Sequence, residues 1–141
     1  MKIVDLNVLL HAVNDDAVHH PVILRWWEAA MNGDEVLGLP WVVVLGFLRL
    51  TTNPNIFPRP LPAEGALRVV DRWLSSGNAR VVSEAEDHWD VLRALIDECG
   101  TAGNLTTDAH LAALAITRRA TLVSCDSDFA RFRGLRWENP L

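Results

Sequence analysis

The sequence predicts an α/β fold with a mainly parallel sheet flanked by helices, and three observations carry that expectation. Short apolar runs at Ile3-Val4-Asp5-Leu6, Ala79 to Val82 and Thr121 to Ser124 read as buried strands. Longer segments with helical patterning and clear stop signals lie between them, so strand and helix alternate along the chain. Half of the residues are hydrophobic and 22% are charged, the balance of a folded globular chain and not of a disordered one.

In order, the first strand carries Asp5 near its C-terminal end. A helix is expected from Pro21, which suits a first turn, to Met31, where Asn32-Gly33 ends it. Trp41 to Thr52 reads as a buried helix halted by Asn53-Pro54. Pro54, Pro58, Pro60 and Pro62 make the following segment an ordered extended loop, because each fixes φ and removes a donor. Further helices are expected over Ala63 to Leu74 and Glu84 to Cys99, the latter with Trp89, Leu92, Leu95 and Ile96 on one face. Thr106-Thr107-Asp108 offers caps for a helix from Ala109 to Arg119, and Leu135 to Trp137 is a last short strand. No strand or helix is assigned to residues 7–20 or 33–40.

The 141 residues suit one compact domain, residues 1–141, with no repeat or linker. No apolar run approaches the ~18 residues that span a bilayer. Lys2 and Asp5 interrupt the region where a signal peptide would be apolar, so the expected location is the cytoplasm. Cys99 and Cys125 are far apart and match no paired metal spacing, so they read as two ordinary thiols. The net charge of −5 opposes bulk electrostatic binding of nucleic acid, but not a pocket of carboxylates whose sign a metal reverses locally.

Asp5, Asp108 and Asp126 each sit in an apolar or small-residue setting, and two of them follow predicted strands, where ligands of parallel sheets bind. A carboxylate beside a core strand is costly to desolvate unless it caps a helix, faces a polar crevice or binds a cation. Three that converge would repel one another, and oxygen-only ligands suit Mg²⁺ or Mn²⁺. Taken singly, Asp108 reads equally as an acid in a helix first turn, and Asp126 and Asp128 as turn residues. The five histidines form no HExxH, and there is no nucleophile elbow, P-loop or GxGxxG. Hydrolytic metal chemistry is the enzymatic option that survives.

These residues resemble the three acid motifs of the VapC toxins, a group of PIN-domain ribonucleases. The resemblance lies in Ile3-Val4-Asp5-Leu6-Asn7-Val8-Leu9-Leu10, in Gly103 to Ala115 around Asp108, and in Thr121-Leu122-Val123-Ser124-Cys125-Asp126-Ser127-Asp128-Phe129. Phe47 to Pro54 and the ending Leu135 to Leu141 are also similar, and the motifs come in the family's order over nearly the whole chain. The resemblance implies a Rossmann-like PIN fold, Mg²⁺-dependent cleavage of RNA (Mn²⁺ as substitute), a homodimer and a small VapB-type antitoxin. It assigns metal ligation and catalysis to Asp5, Asp108 and Asp126, with Asp128 as an outer ligand, and places Asn7 at a polar, substrate-binding site position. Arg49 is a candidate for RNA phosphate or for an ion pair with a site acid, and Arg118, Arg119, Arg131, Arg133 and Arg136 for a basic rim. Many PIN nucleases carry a Glu where this chain has Gly46. A single tightly held ion is therefore expected, with Gly46 leaving space near the site.

Two rivals follow from the same residues. A PIN fold that has lost catalysis with that Glu would bind RNA or antitoxin without cutting. An aspartyl phosphatase using Asp126 and Asp128 would require far more chain after the motif than the 13 residues present.

Overall fold

A computed structural model describes residues 1–141. It has five parallel strands and six α-helices: β1 (Lys2–Val4), α1 (Leu6–Val13), α2 (His20–Met31), β2 (Leu37–Pro40), α3 (Trp41–Thr51), α4 (Ala63–Leu74), β3 (Ala79–Val82), α5 (His88–Cys99), α6 (Thr106–Thr117), β4 (Thr121–Val123) and β5 (Arg136–Glu138). Two 3₁₀ turns, Gly103–Leu105 and Ser127–Arg131, precede α6 and follow β4. The α/β class and the flanked parallel sheet read from the sequence are those observed.

Strand order is β3-β2-β1-β4-β5, with every neighbouring pair parallel. The chain runs outward from β1 in both directions, so the order reverses between β1 and β4. In open parallel sheets that reversal opens a crevice beyond the strand C-termini. Ile3, Val4, Leu37, Leu39, Leu122 and Val123 are fully or almost fully buried, as strands covered on both faces require.

Helices supply the rest of one continuous core of 29 buried residues. Ala109, Leu111, Ala112, Ala113, Leu114 and Ala115 of α6 are all buried, and the run of small alanines lets that helix lie close to the sheet. Trp27 of α2, Phe47 of α3 and Trp73 of α4 form an aromatic cluster with ring centroids 5.3 Å and 4.8 Å apart. Edge strand β5 is tied down by polar contacts. Glu138 pairs with Lys2 at 2.7 Å and accepts from the Trp26 indole, and Lys2 lies over the same ring.

Four sequence expectations are corrected. β1 ends at Val4, because Asp5 turns the chain and caps α1, an unassigned helix. Strand β2, Leu-Gly-Leu-Pro, was also unassigned; all four residues are buried, so it lacks the alternation that marks a strand, and its Pro40 is the residue before α3. Helix α5 starts at His88 and not at Glu84, and Trp89 is 65% exposed, away from its apolar face. Helix α6 starts at Thr106, with Asp108 inside its first turn and no side-chain cap.

Candidate metal and active site

Asp5 follows the last residue of β1, and Asp126 lies three residues beyond β4, on either side of the topological reversal. Asp108 reaches the same place from the first turn of α6. The three acids line one pocket of about 300 Å³ with Leu6, Asn7, Leu10, Val42, Val43, Thr107 and Leu111. The fold therefore brings together the residues that the sequence singled out, across more than 100 positions of chain. Asp128 lies two residues after Asp126, in the 3₁₀ turn Ser127–Arg131. It is not part of the pocket wall, yet it lies near enough to act on Asp108 electrostatically.

Asp5 is the most enclosed of them, at 8% exposed. As the cap of α1, its Oδ1 accepts from the Leu6 N–H at 2.6 Å. Its Oδ2 accepts from Asn7 Nδ2 at 2.8 Å and from the Ser124 hydroxyl at 2.7 Å. Burial pushes the carboxyl above the usual carboxylate range; the bonds from Ser124 and Leu6 work against that shift, and Asp126 adds to it. Asp108 is pushed up to about 6, first by burial, then by the charges of Asp5, Asp126 and Asp128, with Arg131 opposing. No side chain donates to its carboxylate, and a bound cation or a proton would relieve the repulsion that Arg131 only partly offsets. Asp126 Oδ1 accepts from the Asp128 N–H at 2.8 Å, which fixes the turn after β4.

This donor set is all oxygen and fits a hard divalent cation. As placed, no three His, Cys, Asp or Glu side chains stand close enough together to hold an ion. Two sequence expectations change here. Gly46 leaves no vacant space: a Cβ built on it would come within 2.7 Å of Leu6 Cδ2, so the Leu6 side chain fills the room next to it. That close approach of α1 to α3 uses the missing side chain of Gly46 for packing. Arg49 is exposed and has no acidic partner, so its ion-pair reading is set aside; nor does it line the pocket.

The basic rim also divides. Arg131 pairs with Asp128 at 3.2 Å, and with Arg133 it lines a separate recess beside Glu98 and Cys99. Arg136 opens β5 in register with Thr121, the first residue of β4, at the far end of the sheet from the acids. It bonds the Arg119 carbonyl, and Arg118 bonds that of Ser83 at 2.8 Å. Arg118, Arg131 and Arg136 thus each donate to a backbone carbonyl, Arg119 supplies one of those carbonyls, and none of the five arginines lines the pocket. Both cysteines are free and half-buried; burial and Asp5 push the Cys125 thiol up to about 11.

Sequence reasoning missed Ser124. It is fully buried, and its hydroxyl sits among Asp5, Asn7 and the Asp126 N–H. The available signal was its place between an apolar strand and Asp126, where a hydroxyl needs a partner.

Comparison with known proteins places this architecture. A family model described as PIN domain matches residues 2–135. Ribonuclease VapC37 of Mycobacterium tuberculosis is 49% identical over 99% of this chain and 97% of its own length. Ribonuclease VapC33 of the same species is 40% identical over 100% and 99%. Among solved structures, VapBC2 from Rickettsia felis bound to a promoter DNA fragment superposes with a TM-score of 0.72 at 18% identity, covering 98% of this chain and 97% of that one. Mycobacterium tuberculosis VapC20, described as a Sarcin-Ricin loop cleaving toxin, gives 0.67 at 17% identity over 96% and 99%. Matched along its length by the family model and by curated relatives, this chain belongs to the PIN-domain family and is akin to its VapC ribonucleases.

Proposed function

We propose that this chain is a Mg²⁺-dependent endoribonuclease, the toxin of a VapBC-type pair acting on cytoplasmic RNA. The observation that carries the reading is the convergence of Asp5, Asp108 and Asp126 on one pocket, with Asp108 pushed up to about 6 by burial and then by the charges around it. Kinship with VapC ribonucleases supplies the substrate class. Asp5, Asp108 and Asp126 would hold Mg²⁺, or Mn²⁺ in its place, with Asp128 as an outer ligand. Bound there, the ion would polarise a phosphodiester and lower the pKa of a water for in-line attack. The chain's part is to bring three carboxylates to one pocket and to wall it with Leu6, Leu10, Val42, Val43 and Leu111.

Arg49, exposed and unpaired, is the cation proposed to meet RNA phosphate. Trp41, Val42 and Leu45 of α3 and Trp89 of α5 are exposed apolar residues, which supports assembly with a VapB-type antitoxin and with a second copy of the chain. No helix is long and apolar enough to cross a membrane.

The test is cleavage of total bacterial RNA with Mg²⁺ and with EDTA, beside Asp5→Asn. Discrete fragments are expected with Mg²⁺ alone, and none with EDTA or the variant. The second reading, a binding module, is favoured by the Leu6 side chain packed where a Glu at position 46 would reach. RNA and antitoxin binding with no cutting under Mg²⁺ or Mn²⁺ would establish it instead.

A further inference from the structure

One hydroxyl joins the two acid-bearing strand ends. Ser124 Oγ donates to Asp5 Oδ2 at 2.7 Å, and accepts from Asn7 Nδ2 at 2.9 Å and from the Asp126 N–H at 3.0 Å. A serine hydroxyl has one hydrogen and two lone pairs, so its capacity is used up. Asn7 is similarly committed. Both Nδ2 hydrogens are taken, by Asp5 and Ser124, and its Oδ1 accepts from the Cys125 N–H at 3.1 Å. Turning the amide over would set its oxygen against Asp5 and its NH₂ against the Cys125 N–H, so only one orientation satisfies the site.

The count then closes on Asp5. A carboxylate has four lone-pair positions. Oδ2 has filled both of its own with Asn7 and Ser124, and Oδ1 has given one to the Leu6 N–H. One lone pair, on Oδ1, stays open.

Resting on the metal-site reading above, we infer that Ser124 and Asn7 are positioning residues for the cation site: they clamp Asp5 Oδ2 so that Oδ1 is the oxygen offered to the ion. Asn7 therefore acts on Asp5 and has no donor left for RNA. Through Asp126 N–H, the same hydroxyl also sets where the acid after β4 begins its turn. The two acids flanking the strand-order reversal are thus aligned by a residue that touches neither ion nor substrate. The arrangement sets three donors against a carboxylate that burial would otherwise push toward its neutral form, and so favours the charged form a cation binds.

Calorimetric titration with MgCl₂, repeated with MnCl₂, tests this on the full chain, comparing wild type with Ser124→Ala, Ser124→Thr and Asn7→Ala. Metal-free melting curves show which variants are folded. Asn7→Ala covers the case in which a buried change at Ser124 prevents folding, since Asn7 is half-buried in a first turn where Ala is favourable. Folded Ser124→Ala and Asn7→Ala should bind Mg²⁺ about 10–100-fold more weakly, the usual loss when a partner of a metal ligand is removed. Ser124→Thr, which keeps the hydroxyl, should recover most of the affinity. Wild-type affinity in both folded alanine variants overturns the positioning role and leaves the metal site standing. A folded Ser124→Thr that binds as weakly as Ser124→Ala also overturns it, because the hydroxyl would not be the cause. A wild type that takes up neither ion overturns the metal reading itself.

Discussion

Asp108→Asn should abolish Mg²⁺-dependent RNA cleavage and, at the same time, make the metal-free protein more stable. The cleavage loss should reach about 10²–10³-fold or more, the range that follows removal of one charge-stabilising group from an active site. The gain in stability follows from proton linkage. Folded Asp108 keeps its proton up to about pH 6, whereas the unfolded chain releases it near 3.8. Between those values the native state binds more protons than the unfolded one. Stability of the metal-free protein therefore falls as pH rises through that window and stays lower above it. Asp5 is raised by burial and contributes with the same sign.

Asn at position 108 carries no charge to desolvate or to repel and removes that share of the pH dependence. Because Asp108 is only partly buried, solvent screening keeps the effect modest, a rise in Tm of roughly a few degrees. The check is a series of melting curves from pH 4 to 8 with EDTA, then with Mg²⁺. Wild type should gain Tm with Mg²⁺ above pH 6 and lose that gain below it, as protons compete for Asp108. The variant should respond weakly to the ion at every pH. A variant that melts below wild type in EDTA at pH 8 would mean that burial and repulsion do not raise Asp108 as described.

Phe47→Ala should cost about 3–5 kcal/mol, the usual range for emptying a large buried aromatic site. Phe47 is fully buried on α3 and packs on Trp73 with ring centroids 4.8 Å apart, so its loss opens a cavity between α3 and α4. That is a large part of the roughly 5–15 kcal/mol that holds a domain together. Urea unfolding at 15 °C measures it, with the midpoint falling and the slope unchanged. Phe47 lies one position beyond Gly46, and the same helix brings Val42 and Val43 to the pocket. A loss below about 1 kcal/mol would show that the neighbours close over the gap.

Much of this architecture is legible locally. Ala79 to Val82, Ala63 to Leu74 and Cys99 stand in the structure where the sequence sets them, because their boundaries are marked by Pro, Gly and Ser. Helix α1 was hidden for the opposite reason. Leu6 to Val13 is nearly all apolar, so it shows no period that separates helix from strand, and its start is signalled only by Asp5 acting as a cap. β2 was hidden by its Gly38 and Pro40, which argue against a strand, although Pro40 at the end gives up no bond that the ladder requires.

By itself the sequence determined the alternation of strands and helices, the acids placed next to them and, through resemblance, the family the chain belongs to. Those are properties of short windows: hydrophobic period, turn chemistry and the cost of a carboxylate beside a core strand. Tertiary structure decided the rest. Ser124 and Asp5 are 119 positions apart and meet only because β1 and β4 pair in register. Gly46 serves packing instead of the pocket because α1 crosses α3 at Leu6. Arg136 is carried away from the acids by the direction of β5. Each outcome depends on which distant segment lies alongside, and that is fixed by burial of the whole core and not by any local run of residues.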